Sequence, residues 1–489
     1  MRRYLIVLPL LALAQANAQS TAATRPAATR PAATPRGATP PAANTAVQSP
    51  VEALARTILT ELIALNTTAS TGSTTPAAQK LAARFRAAGF PAADVMVMGR
   101  GPRSQNIVVR WRGKTRAKPF VFNAHLDVVE APRLDWGTDP FVLTEKGGYL
   151  YGRGVLDDKG PAASIAAAFI VAKQQGLVPE RDLVLTLTAG EESDFENGVI
   201  WLLEKQRALV DAEYVLNLDA GGGDLSSGKV LGYALQAAEK VYLDVELIAR
   251  GPGGHSSVPP TETPIDHLAR ALDKVGRYNF KVSLNPVMRS YFEKRAGLTG
   301  GAMGAAMTAI ALDPNDLAAQ TTLLTDRLHA AHLRTTCIAT MLRGGTAPNA
   351  IPQEVGATVN CRVLPGTAQD EVLRTLRDVV ADSSITIRVV NPMHPSGPSI
   401  PSPAFMTMIE RVVHAEHPGV PVFLYMEGGA TDGLWFRNAG IPVFGVMGAF
   451  MDQSDVQRAH GKDERIPVAA FAEMARYSAR LLAEVARAR

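Results

Sequence analysis

The chain has 489 residues and 46% hydrophobic content, enough for two or three domains with cores of their own. Its formal charge of +4 is spread over scattered Lys and Arg residues, without the clustered stripe or interleaved aromatics that nucleic-acid binding requires, so nucleic acid is excluded as a partner. Past the N-terminus no run is long and apolar enough to span a bilayer, so the mature protein is expected to have no membrane span.

Arg2 and Arg3, an apolar run from Tyr4 to Ala14 and the small-x-small site Ala16-Asn17-Ala18 predict a secretory signal peptide over residues 1–18. The mature protein is then periplasmic or secreted. Residues 19–49, almost wholly Ala, Thr, Pro, Gln, Arg and Ser, cannot bury a core and predict a disordered tether.

From Val51 helices alternate with apolar strands, the signature of an α/β domain with a mostly parallel central sheet. Helices are expected over Val51–Leu65 and Thr75–Ala88, and strands over Asn106–Trp111 and Lys118–Asn123. The second strand runs into His125-Leu126-Asp127. Alternation places His125 and Asp127 on one side of an extended backbone, so Asp127 can hold one imidazole nitrogen while the other binds a metal. Alone, this pattern is more often a hydrogen-bonded histidine at a strand end.

Tyr151-Gly-Arg-Gly-Val-Leu-Asp-Asp-Lys-Gly160 follows, a glycine-rich turn presenting two adjacent carboxylates before an alanine-rich helix over Pro161–Gln174. Asp157 is read as the centre of a metal site, against the plainer reading of a helix N-cap. The strand Leu183–Thr188 leads to Glu191-Glu192, a pair that makes chemical sense if a metal neutralises one carboxylate while the other keeps a raised pKa for proton transfer. A helix at Val199–Gln206 and a strand at Tyr214–Leu218 then deliver Asp219. Four successive segments thus place His, Asp or Glu at the edge where open α/β sheets bind ligands.

After Glu239 the expected order is strand Val241–Ala249, a glycine-rich turn with His255, helix Pro264–Val275, strands Thr336–Leu342 and Glu354–Leu364, helix Ala368–Ala381 and strand Ser384–Val390. This β-α-β-β-α-β order predicts a ferredoxin-like α+β insert over 239–393, with a helical elaboration between about Leu284 and Leu333. The first domain, 50–238, resumes at 394–489 with helix Pro403–Ala415, the Gly428-Gly-Ala-Thr-Asp432-Gly turn, strand Pro442–Met447 and a loop carrying His460. Cys337 and Cys361 lie in two strands that can form a hairpin; a disulfide and two buried thiols are both open.

His125-x-Asp127, Gly152-Arg-Gly-x-x-Asp157, Glu191-Glu192, Asp219, Gly254-His255-Ser-Ser and His460 together resemble the M20 metallopeptidase family, also called the aminoacylase/carboxypeptidase family. The wording around Asp157 and the long insert are most similar to its carboxypeptidase S-like branch. The resemblance implies a hydrolase with two zinc ions, with cobalt or manganese as substitutes. His125 and Asp219 would hold one, Glu192 and His460 the other, and Asp157 both. It further implies Asp127 as a catalytic aid to His125, Glu191 as general base, and His255 of the insert as a donor to the reaction oxyanion across a homodimer interface. Arg362 and Asn349 resemble the lid residues that hold the substrate carboxylate and carbonyl. The expected surface for pairing with a second copy is an edge strand near Val241–Ala249. The implied substrate is a small peptide cleaved next to a free carboxylate, with an N-acyl amino acid as the alternative. A non-catalytic binding protein on the same scaffold should have lost ligands, and a co-catalytic aminopeptidase should lack the insert.

Overall fold

The computed structural model describes residues 49–193, 197–226 and 228–488; the expected signal peptide, and the tether up to residue 48, lie outside the described residues. The strands of two sheets are, in chain order, β1 (Val95–Gly99), β2 (Gln105–Trp111), β3 (Phe120–His125), β4 (Leu183–Thr188), β5 (Tyr214–Asn217), β6 (Gly222–Ser226), β7 (Lys229–Glu239), β8 (Val241–Arg250), β9 (Thr336–Gly344), β10 (Glu354–Val363), β11 (Ile385–Asn391), β12 (Val422–Glu427), β13 (Val443–Gly445) and β14 (Phe450–Asp452).

The larger sheet has the order β1-β2-β4-β3-β5-β13-β7-β6-β14, with β12 paired to β7. Its centre, β4-β3-β5-β13, is parallel. The sequences of β3 and β4, FVFNAH and LVLTLT, are buried on both faces, as parallel strands covered by helices require. The hairpins β1-β2 and β6-β7, joined by short turns that permit only antiparallel pairing, and the antiparallel β2-β4 contact make the whole sheet mixed around that parallel centre.

One face is covered by three helices, α1 (Pro50–Ile63), α2 (Lys159–Gln174) and, at the end of the chain, one over Val468–Arg487. Helix α2 is buried continuously from Lys159 to Ile170, so it carries small alanines where a surface helix would carry charge, and the other two pack against it.

The smaller sheet has the order β9-β10-β8-β11, antiparallel throughout. Its core takes Leu268, Ala271 and Val275 from α3 (Pro264–Arg277) and Val372, Leu376 and Val380 from a helix over Gln369–Val380. The stretch Val241–Ala249, expected at an edge, is instead interior, bonded to β10 on one side and β11 on the other. Its near-complete burial requires that position, while β9, exposed from Ile338 to Gly344, forms an edge. Cys337 and Cys361 stand opposite one another in β9 and β10 and form a disulfide.

The helical elaboration consists of α4 (Pro286–Thr299), α5 (Gly301–Leu312), α6 (Leu317–Leu323) and α7 (Arg327–Leu333). Its apolar residues Val287, Met288, Tyr291 and Phe292 join the core of the larger sheet, where Tyr291 packs on Phe423 of β12.

Candidate metal centre

Strands β3, β4 and β5 are parallel and in step, His125 opposite Thr188 and Asn123 opposite Asn217, so their chains leave the sheet at one edge. His125 ends β3, Glu191 and Glu192 follow β4, and Asp219 follows β5. The glycine-rich turn before α2 brings Asp157 to the same edge, where His125 Nε2 lies 2.9 Å from Asp157 Oδ1 and 3.7 Å from Asp219 Oδ1.

His460 arrives from the far end of the sequence. Its Nε2 is 2.9 Å from Asp157 Oδ2 and 3.0 Å from Glu192 Oε1. Asp157 therefore turns one oxygen to each imidazole, the geometry of a ligand shared between two sites.

Asp127 works differently from the expectation. Its backbone carbonyl, 3.0 Å away, faces His125 Nδ1, while the carboxylate is 3.7 Å from that nitrogen. The carboxylate accepts instead from the backbone N–H groups of Glu191 at 3.2 Å and Glu192 at 3.0 Å. One residue thus orients the histidine and fixes the turn bearing both glutamates.

Three further residues build the centre without having been singled out. Asp158 is fully buried, accepts from the His125 backbone N–H at 2.9 Å, and leaves Oδ1 without a hydrogen-bond partner. Glu464, also fully buried, accepts from the N–H groups of Gly154, Leu156 and Asp157 at 2.9, 2.8 and 3.1 Å and pairs with Arg153 at 2.8 Å. Arg153 in turn donates to the carbonyls of His460 and Gly461, tying the Asp157 turn to the His460 loop. Asp432, in the turn after Gly428, accepts from Thr188 and Asn197, each at 2.7 Å, and locks that turn to the end of β4. The Asp157-Asp158 doublet was a signal for the first; Glu464 and Asp432 act over more than 200 residues and carry no local signature.

Packing this many acids together disfavours their charge. Burial pushes Asp219 up to about 7 against the opposing pull of His125. Burial, with the nearby charges of Asp219, Asp432 and Glu192, also holds Glu191 well above the usual carboxylate range. Asp157 is the exception: although buried, it is held low by the two imidazoles. His460 is pushed up to about 10 by hydrogen bonds to Asp157 and Glu192.

Such a cluster fits a divalent cation. Ligand atoms of His125, Asp157 and Glu192 lie within 4.8 Å of one another, as do those of His125, Asp158 and Asp219. The donors are imidazole nitrogen and carboxylate oxygen without thiolate, a set that suits zinc. The orphaned Oδ1 of Asp158 is the kind of buried acceptor that a cation satisfies.

The cluster opens into a cavity of about 940 Å3 lined by Asp157, Glu191, Glu192, Asp219 and His460 and, from the smaller sheet, Arg362. The Arg362 guanidinium lies 4.7 Å over the Tyr242 ring and forms no ion pair among the described residues. His255 and Asn349 are not in this wall. They sit on an exposed two-stranded ribbon made by segments distant in the chain, in which His255 pairs with Ala350, and the Ser256 N–H donates to the Asn349 carbonyl.

Residues 121–484 match peptidase family M20/M25/M40. The chain is 29% identical over 361 residues to the N-fatty-acyl-amino acid synthase/hydrolase PM20D1 of Xenopus tropicalis, covering 71% of this chain and 69% of that one. It is 26% identical over 381 residues to the probable carboxypeptidase S-like 2 of Dictyostelium discoideum, covering 76% and 72%. The M20 family metallo-carboxypeptidase Sso-CP2 of Sulfolobus solfataricus has the same fold, with a TM-score of 0.66 at 17% identity, covering 88% of this chain and 99% of that one. The chain belongs to peptidase family M20/M25/M40 and is a metallohydrolase of its carboxypeptidase, dipeptidase and acylamino acid hydrolase type.

Proposed function

We propose that the protein is a secreted di-zinc hydrolase that cleaves an amide bond next to a free carboxylate. The observation that carries this reading is Asp157, with one oxygen 2.9 Å from His125 and the other 2.9 Å from His460, in the same cavity as Arg362, which has no ion-pair partner among the described residues. His125 and Asp219 would hold one zinc, Glu192 and His460 the other, and Asp157 both. When bound, the cations acidify a water molecule and polarise the substrate carbonyl.

The chain's own residues do the rest. Arg362 anchors the substrate carboxylate through its planar fork. Glu191 takes a proton from the water that attacks the carbonyl carbon. As the C–N bond breaks, it hands that proton to the leaving nitrogen, yielding a carboxylic acid and an amine. Burial keeps Glu191 basic enough for both transfers.

His255 and Asn349 reach substrate in this reading only from a second copy, so the working form is a homodimer through the smaller sheet, with 239–393 acting as its lid and dimerisation domain. Edge strand β9, with Ile338, Met341 and Leu342 exposed, supports that pairing. The Cys337–Cys361 disulfide suits an oxidising compartment, as the expected signal peptide does. No helix among the described residues is long and apolar enough to cross a membrane.

Profiling the zinc-loaded protein against dipeptides and N-acyl amino acids, before and after chelation, tests the reading. Hydrolysis that depends on both the substrate carboxylate and the metal supports it; equal rates on carboxylate-blocked substrates would refute it. An N-acyl amino acid is the second reading, favoured by the similarity to PM20D1.

A further inference from the structure

On the face of the smaller sheet turned away from α3, neighbouring charges are unevenly paired. Along β8 the residues Val241, Leu243, Val245 and Leu247 belong to the core, so Tyr242, Asp244 and Glu246 share the opposite face. Glu246 pairs with both Arg343 of β9 and Arg388 of β11. Asp244 is buried as well, yet it has no arginine partner among the described residues, and Arg362 of β10 has no acid.

Distance does not keep these two apart. Arg362 stands opposite Tyr242, and Asp244 opposite Asn360, so Asp244 and Arg362 are diagonal neighbours. Such pairs are about 7–8 Å apart at the backbone, within reach of a long side chain.

What separates them is Tyr242. Its ring lies under the Arg362 guanidinium, 4.7 Å from it, and attracts the cation by its electron-rich face. Its hydroxyl donates to Asp244 Oδ2 at 2.8 Å, while Asn391 donates to the same oxygen at 3.0 Å and Asn360 to Oδ1 at 2.8 Å. Both oxygens of Asp244 are therefore engaged by neutral donors. Tyr242, Asn391 and Arg362 line the cavity of the metal cluster, whereas Asp244 is not in its wall. Burial makes the guanidinium's charge costly, against the pull of Tyr242, Asp244 and Glu191, so an anion entering the cavity finds a cation short of a partner.

We infer that Tyr242 is a positioning residue that keeps Arg362 off Asp244 and so leaves its fork free for the carboxylate of the substrate. The inference rests on the reading of Arg362 as the carboxylate anchor and deepens it by naming what holds that anchor open. Asn360 and Asn391 complete the device by occupying the acid with uncharged bonds. Without the ring and its hydroxyl, Arg362 turns onto Asp244, and the ion pair forms inside the chain instead of with substrate.

The test offers N-acetylmethionine and alanyl-leucine, each beside its carboxamide counterpart, to the zinc-loaded full chain. The parent should prefer the acid over the amide. Tyr242→Ala should lower that preference about tenfold to a hundredfold, mainly through KM for the acid, with zinc content unchanged. Adding Asp244→Asn to Tyr242→Ala should restore much of it, because no anion then competes for the guanidinium. A further loss in the double variant, the expectation for a merely structural role, would overturn the inference. Equal rates on acid and amide in the parent would refute the anchor itself.

Labelling Arg362 with phenylglyoxal, read by peptide mass, decides the spacer without any turnover. Arg362 should react a few-fold more slowly in Tyr242→Ala than in the parent and regain its rate in the double variant; unchanged or faster labelling in Tyr242→Ala would overturn the inference. Should Tyr242→Ala not fold, Tyr242→Phe keeps the strand packed and frees one bond of Asp244. It should slow the labelling in the same direction, and no change would overturn the inference.

Discussion

The turn that carries Asp157 and the two-stranded ribbon that carries His255 differ in what holds them. Glu464 grips the first by three backbone N–H groups, and Arg153 joins it to the His460 loop, both side chains buried. The second is exposed, and the His255 ring has Ser257 of its own turn as its neighbour. A site that must hold two cations among mutually repelling acids needs rigid support, because a buried charge without a partner is costly. A group that serves another chain's site must be free to leave its own surface. On the proposed reading, the difference separates machinery finished within one chain from machinery that a second chain would finish.

The sharpest way to break this comparison is Asp157→Ala, which removes the residue facing both histidines. Metal content should fall from two ions to none and hydrolysis to background, measured by elemental analysis and turnover together. Two tightly held zinc ions in that variant would contradict the shared-ligand geometry. Glu191→Gln should keep both metals and lower kcat by about 10²–10⁴, the range for a general base. Activity within a few-fold of the parent would end its assignment.

His255→Ala addresses the exposed region and should lower kcat by about 10²–10³, with zinc content and Tm unchanged. Mixing it with Glu191→Gln chains should restore activity, because one site of the mixed dimer receives an intact residue from each chain. No recovery after proven subunit exchange would refute the cross-subunit role of His255.

The smallest effect is in pH. His460 in the metal-free protein is raised to about 10, above its unfolded value, so its stabilisation is complete below about pH 6.5 and is lost as pH rises through 10. Asp219 is raised to about 7 and likewise favours the protonated folded state, a contribution lost between about pH 4 and 7. Zinc must displace both protons, so the rise in Tm on adding zinc should grow from pH 6 to pH 8. A constant rise across that range would mean that neither group is a ligand.

Much of the first region could be read from sequence because its residues end or closely follow apolar strands: His125 closes FVFNAH, and Glu191 comes three residues after the end of LVLTLT. Helix α2, strand β4 and the β-α-β-β-α-β order all appear close to their expected bounds. Strand β7 gave no such signal, since its Ala, Leu, Gln and Glu favour helix in isolation and only pairing with β6 and β12 makes it a strand. The place of β8 inside its sheet was equally hidden, because alternation assigns faces but not neighbours. Glu464 and Asp432 escaped notice for a related reason: their partners are distant in the chain, and a buried acid reads like any surface one.

The central claim is that one chain holds two metal sites joined through Asp157. Titrating the metal-free protein with zinc while following hydrolysis of a carboxylate-bearing amide tests it most directly. The account predicts activity that climbs to a break at two zinc ions per chain, and binding with a break at one, or without hydrolysis, would contradict it.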